Sequence, residues 1–273
     1  MKIAVLSGKG GTGKTFVSVN LACALKQADY VDCDVEEPNG HVFLKPESIA
    51  SSSVSVLLPK FDESKCNGCR KCVDFCHFNA LIYLRKKPIV FPEVCHSCGG
   101  CLLVCDQDAI KEVEHEVGHV DVGWHRSIRC ISGWLNAGEV SGIPVIEHAL
   151  SLADSKHVVV DCPPGSACSV MESIQDADVC LLVAEPSMFG FHNFKMVYEL
   201  ATLMQKPCMV IVNKMQDAYG PLEDFCKDKG VKVVARIPFS KEMATLTSSG
   251  HIAYEEDAAM KAVFDAIARE VMA

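Results

Sequence analysis

Positive charge is in short supply in this chain. Lys and Arg number 26 against 35 Asp and Glu, a formal net charge of −9 over 273 residues. Nucleic acid is held through a basic face that neutralises phosphates, so no nucleic-acid partner is expected. Long apolar runs are missing too. Nothing approaches the ~18 residues that a bilayer-spanning helix needs, and no stable membrane insertion is expected. From Met1 the chain enters a short apolar run, Lys2 to Leu6, without the charged, apolar and small-residue regions of a secretory leader. These absences decide how the one residue in excess is read. Sixteen cysteines would build a disulfide framework in an oxidising compartment. In a reducing, anaerobic cytoplasm, the location expected here, thiolates serve instead as metal ligands.

What is present is alternation. Residues 2–7 form an apolar run, 14–26 carry Val17, Val19, Leu21, Ala22 and Leu25 in a helical pattern, and 29–34 read as a second strand. A small-residue patch, Ser51 to Ser53, and a cysteine-rich stretch from about 60 to 113 follow, and 117–136 suit a hairpin. Strands are then expected at 157–161, 178–184, 208–213 and 231–237, with helices at 144–154, 189–204, 219–229 and 257–272. Such alternation predicts an α/β fold, a mostly parallel sheet covered by helices. The cysteine-rich stretch interrupts it. The expected organisation is therefore a discontinuous domain, 1–59 and 114–273, with a small inserted α+β domain at 60–113. The last helix sets Val263, Phe264, Ile267 and Val271 at helical spacing with more acidic than basic neighbours, which reads as core packing rather than membrane contact.

Residues 8–15, Gly8-Lys9-Gly10-Gly11-Thr12-Gly13-Lys14-Thr15, match G-x-x-x-x-G-K-[ST] between a strand and a helix. Glycines let consecutive N–H groups face one phosphate, and the helix N-terminus adds a positive field. Lys14 is placed to pair with the β- and γ-phosphates of ATP, or the β-phosphate of ADP, and Thr15 to ligate Mg²⁺. Two further segments fit a nucleotide site. Asp32-Cys33-Asp34 follows the second strand, and Asp161-Cys162-Pro163-Pro164-Gly165 ends a later one. An aspartate at a strand end can hold the Mg²⁺ shell, and the Pro-Pro-Gly turn sets the Gly165 N–H toward the γ-phosphate.

With its early lysine, the loop resembles the deviant Walker A of the MinD/Mrp/ParA ATPases, to which the nitrogenase iron protein is related. The resemblance covers about 1–45 and 140–273 and implies a P-loop NTPase fold. It implies that Lys9 reaches the phosphates of a partner in a nucleotide-sandwich dimer, formed with an identical chain or a similar ATPase. It also implies that Asp34 places the attacking water and that Asp161 serves as the Walker B carboxylate. Asn213 and Pro238, at two strand ends, are expected to line the adenine pocket. The run Asn213-Lys214-Met215-Gln216-Asp217 is one residue longer than the guanine motif Asn-Lys-x-Asp, so guanine specificity is not expected.

Cysteines repeat in one pattern. Cys66, Cys69, Cys72 and Cys76 have spacing x2, x2, x3, and so do Cys95, Cys98, Cys101 and Cys105. This is the two-cluster bacterial ferredoxin spacing, in which the fourth cysteine of each run crosses to the other cluster. One [4Fe–4S] cluster would fall to Cys66, Cys69, Cys72 and Cys105, the other to Cys95, Cys98, Cys101 and Cys76. His77 and Asp106 stand where a proline usually follows the fourth cysteine. Ala80 to Tyr83 and Pro88 to Phe91 suit a small hairpin, and Asp108-Ala109-Ile110 echoes Asn79-Ala80-Leu81. Most of the other eight cysteines lie in apolar strands or helices and read as buried small hydrophobes. Cys162 and Cys168 flank the Pro163-Pro164-Gly165 turn; the nitrogenase iron protein and Mrp-type carriers bridge a cluster at the dimer interface, but no second C-x2-C matches the Mrp pattern here, so a bridging cluster is not expected. His115, His119 and His125 read as structural.

An ATPase and a two-cluster wire in one chain suggest that nucleotide-driven dimerisation gates electron transfer to an unidentified redox partner. Two alternatives stand beside it. One is an Mrp-like scaffold or carrier in metal-cluster assembly. The other is a MinD/ParA-like positioning switch with structural or sensory clusters.

Overall fold

The computed structural model describes residues 1–85 and 87–273, and every count below refers to those residues. The strands are β1 (Lys2–Leu6), β2 (Asp29–Asp32), β3 (Glu47–Phe61), β4 (Leu81–Leu84), β5 (Lys87–Val90), β6 (Ile110–His125), β7 (Ile128–Leu135), β8 (Val158–Asp161), β9 (Val179–Ala184), β10 (Cys208–Met215) and β11 (Lys232–Pro238). Nine of them form one sheet in the order β11-β10-β9-β1-β8-β2-β7-β6-β3, and β4 pairs with β5 apart from it. From β11 to β7 all pairings are parallel; β7–β6 and β6–β3 are antiparallel.

The apolar runs make central strands because both faces are covered. In β1, Ile3 and Val5 pack with Val17, Leu21, Phe264 and Ile267 on one side. Ala4 and Leu6 pack with Ile146, Ile174, Phe194 and Val197 on the other. The last helix, Ala258–Met272, buries Phe264, Ile267 and Val271, as its spacing predicts. No helix among the described residues is long and apolar enough to cross a membrane.

The sequence reading missed β3. The small-residue patch Ser51 to Ser53 lies inside a 15-residue strand at the sheet edge. The period of two is there in Val54 and Leu58, both buried, but serines on the open face hide it. An edge position also tolerates Pro59, which has no N–H to donate. The expected hairpin is β6–β7, closed by Arg126 and Ser127 with Arg126 at φ 54°.

β3 and β6 stay paired out to Phe61–Ile110, so the main sheet reaches two residues past 59 and resumes four before 114. The cysteine module, residues 62–109, sits on the end of this ribbon. It holds β4–β5, helices Lys71–Phe75 and Gly100–Leu103, and a small core around Cys72, Leu81 and Ile110. Its internal repeat is visible in the backbone. Gly68 and Ser97 are left-handed (φ 75° and 50°), as are Arg70 and Gly99 (66° and 69°) and Asn79 and Asp108 (55° and 49°). Each pair occupies the same place relative to its own cysteine run.

Candidate nucleotide site and cysteine module

The loop between β1 and helix Lys14–Leu25 opens into a cleft of about 870 Å³, within the range of small-molecule sites. Gly10, Gly11, Gly13, Lys14 and Thr15 line its floor, with Asp34 on one wall and Asn213 and Pro238 on another. Gly8 and Thr12 shape the loop from behind. A Cβ on Gly8 would meet Asn193 O at 2.1 Å, and the buried Thr12 donates its hydroxyl to Lys9 O at 3.1 Å. Gly13 has φ 103°, and a Cβ there would lie 2.2 Å from Asn213 Nδ2. That amide donates to Thr12 O at 2.9 Å, while Lys214 Nζ donates to Gly11 O at 2.6 Å. Asn213, expected at the base, and its neighbour Lys214 thus brace the phosphate loop.

Lys14 is 6% exposed, and its Nζ lies 3.9 Å from Asp34 Oδ2. Burial pushes the Asp34 carboxyl up to about 6 against the pull of Lys14, with Asp161, Glu37 and Glu36 adding to the rise. Lys9 is not on the cleft wall. Its Nζ stands 3.3 Å from Glu185 Oε2 and over the Phe189 ring.

Asp161 and Asp32 face each other across the β2–β8 pairing, both fully buried. Burial raises both carboxyls. For Asp161, Lys14 and then the Thr15, Tyr30 and Ser18 hydroxyls oppose the rise. Asp161 Oδ2 accepts from Tyr30 Oη at 2.9 Å, whereas Oδ1 is buried without a hydrogen-bond partner among the described residues. A bare carboxylate oxygen near Lys14 and Thr15 fits a magnesium ion carried in by a nucleotide. Asp32 accepts the N–H groups of Asp34, Asn39 and Gly40 and so fastens the loop after β2. Gly165 departs from expectation. Its N–H donates to Ser7 O at 3.0 Å, because the turn after Pro163-Pro164 folds back onto the phosphate loop.

The eight spaced cysteines gather in two fours. Cys66, Cys69, Cys72 and Cys105 line one hollow, with Phe61 and Ile110 of the ribbon. Cys76, Cys95, Cys98 and Cys101 line the other, with Leu57, Pro59 and Glu112. The second hollow is therefore the nearer to the sheet. Among the described residues no three His, Cys, Asp or Glu side chains converge as a single metal ion requires. A cubane takes one thiolate at each of four irons, so its ligands stand apart around a space instead of meeting at a point, and four cysteines around a hollow suit that donor set.

The remaining cysteines are mostly core. Cys162 is fully buried, and burial pushes Cys23, Cys130 and Cys180 up to about 12, so these thiols are inert. Cys168 is the exposed exception. His115 and His125 pair with Glu139 and Glu255, and His119 stacks on Trp134. Sequence reasoning missed Tyr30, Glu185 and Phe189. Only Tyr30 left a signal, as a polar ring two residues before Asp32 in an otherwise buried strand.

Known proteins place these features in a family. The chain matches the CobQ/CobB/MinD/ParA nucleotide-binding domain over residues 3–253. It is 31% identical over 222 residues to an uncharacterised protein of Methanocaldococcus jannaschii, covering 78% of each chain. It is 24% identical over 278 residues to an iron–sulfur cluster carrier protein of the same organism, covering 91% of this chain and 76% of the carrier. Its fold resembles the septum site-determining protein MinD of Pyrococcus horikoshii, solved with Mg-ADP, at TM-score 0.60 and 19% identity over 99% of this chain and 95% of that one. The chain belongs to the CobQ/CobB/MinD/ParA family of nucleotide-binding domains.

Proposed function

We propose that this protein is an ATP hydrolase whose nucleotide-dependent dimerisation gates electron transfer through two [4Fe–4S] clusters held in an inserted ferredoxin-like domain. The observation that carries the reading is the sorting of the eight cysteines into the two fours that the crossed ligand rule requires. Bound clusters would supply one-electron carriers. Every ligand position is filled by cysteine, which suits conduction better than release.

The chain's own residues supply the nucleotide chemistry. Gly10, Gly11, Gly13, Lys14 and Thr15 line the cleft where they would cradle the phosphates; Lys14 would neutralise them, and Thr15, with Asp161 buried at the end of β8, would hold Mg²⁺. Asp34 orients the attacking water from the cleft wall. Lys9, freed from Glu185, reaches the nucleotide of a partner chain, identical or similar.

A physical link runs from this site to the module. Val35, next to Asp34, accepts the Leu135 N–H at 2.9 Å. Its side chain fills the space left by Gly133 and Gly142, where added Cβ atoms would lie 2.7 and 2.5 Å from its methyls. β7 pairs with β6, and β6 with β3, whose ends carry the cysteines. A shift of the loop at Asp34 is thus passed to a sheet edge on which the module is mounted.

Likeness to the carrier protein favours a second reading, cluster delivery during metalloprotein assembly. One experiment separates them: ATP turnover of anaerobically purified protein containing about eight iron atoms per chain, with clusters first oxidised and then reduced. The gate predicts a rate that changes with redox state. An unchanged rate, with iron passing to an apo-acceptor, would replace it with the carrier.

A further inference from the structure

Tyr30 has no part in the phosphate-loop chemistry or the cysteine module, yet it is fully buried among charged groups. Parallel pairing sets Asp32 beside Asp161 and Tyr30 beside Val159. Side chains alternate along a strand, so Tyr30 shares a face with both aspartates. Its hydroxyl donates to Asp161 Oδ2 at 2.9 Å and stands 3.4 Å from Asp32 Oδ2. That second oxygen is the one that takes the Asn39 and Gly40 N–H groups. The phenol therefore lies between the carboxylate that ends β8 and the one that fastens the loop after β2. Gly40 makes room for the ring, since a Cβ there would lie 2.2 Å from the phenol oxygen. Asp161 Oδ1 meanwhile is buried with no hydrogen-bond partner among the described residues, although the Thr15 and Ser18 hydroxyls stand close enough to the carboxyl to act on it. One oxygen pinned and the other unpartnered is an arrangement for a cation, because a buried polar atom left without a partner is costly.

We propose that Tyr30 is a positioning residue for the magnesium ion of the bound nucleotide. Its hydroxyl pins Asp161 through Oδ2, presents Oδ1 to the ion, and ties the ion's site to the Asp32-fastened loop. The inference rests on the nucleotide reading above. A tyrosine serving only as core filler would be replaced by phenylalanine without consequence for metal.

The test is ADP binding to the full chain by titration calorimetry, with Mg²⁺ and with EDTA, read as the ratio of the two affinities. Groups that orient a metal ligand are worth about 10–100-fold. Tyr30→Phe keeps the ring and is expected to lower the ratio about tenfold. Gly40→Ala keeps the phenol but drives it from its seat, and serves as an independent arm with the same expected fall if Tyr30→Phe does not fold. A ratio in either folded variant equal to that of the unmodified protein overturns the inference and leaves the nucleotide reading intact. An unmodified protein whose ADP affinity ignores Mg²⁺ overturns this inference alone, and one that binds no ADP overturns both.

Discussion

Lys9 is held on its own chain by Glu185, with 3.3 Å between Nζ and Oε2 and the Phe189 ring 5.4 Å beneath. A lysine that is to serve a partner's nucleotide has first to leave this contact. Partly exposed pairs are worth about 0.2–1 kcal/mol. Glu185→Gln is therefore expected to tighten ATP-dependent dimerisation by roughly 1.4- to 5-fold for each Lys9 released, measured by sedimentation velocity across a protein dilution series. Lys9→Ala is expected to abolish the ATP-dependent dimer.

Asp34 sets a pH window. Its carboxyl is pushed from 3.8 to about 6, mainly by burial. The water-orienting form is the carboxylate, so kcat/KM for ATP should fall as pH drops through about 6, and Asp34→Asn should be slow and lack this limb. Folding stability runs the other way. The raised carboxyl favours the folded state below about pH 4, and this contribution is lost as pH rises through 6. Activity and stability profiles of the same sample are expected to diverge across that window.

Asn213 braces the phosphate loop through Thr12 O. Removing one buried hydrogen bond costs about 1–3 kcal/mol. Asn213→Ala should weaken ADP binding by about tenfold, while Gly13→Ala should weaken it further, since its φ of 103° resists any side chain. Gly13→Ala combined with Asn213→Ala clears the overlap but not the backbone strain, and should remain weaker than Asn213→Ala alone.

The cysteine fours predict which losses add. Cys66→Ser with Cys105→Ser touches one hollow, so reconstituted protein should keep about four of eight irons. Cys95→Ser with Cys105→Ser touches both hollows and should lose most of the iron. Equal losses in the two double variants would refute the crossed assignment. Iron analysis with electron paramagnetic resonance of the reduced samples makes the check.

The sequence made the sheet and the phosphate loop legible because covered strands are continuously apolar and the loop's spacing is dictated by the phosphates it must wrap. β3 was not legible, because Ser51, Ser53 and Ser55 face away from the core and only Val54, Leu58 and Pro59 are buried. The cysteine runs were readable as spacing. Their sorting around two hollows depends on the hairpin Leu81–Val90 and on the left-handed turns, which fold the runs against each other. Glu185 and Tyr30 were hidden for another reason. One lies 176 residues from Lys9, the other 131 from Asp161, and only the parallel crossovers bring them together.

If nucleotide and clusters sense each other, the coupling is reciprocal. The most direct measurement is the midpoint potential of the reduced-to-oxidised transition, followed anaerobically by electron paramagnetic resonance, without nucleotide and with a non-hydrolysable ATP analogue. A tenfold difference in nucleotide affinity between redox states corresponds to a shift of about 59 mV for one electron. The account predicts a shift of that order in at least one cluster, abolished by Lys14→Ala. Identical potentials with and without nucleotide would contradict it.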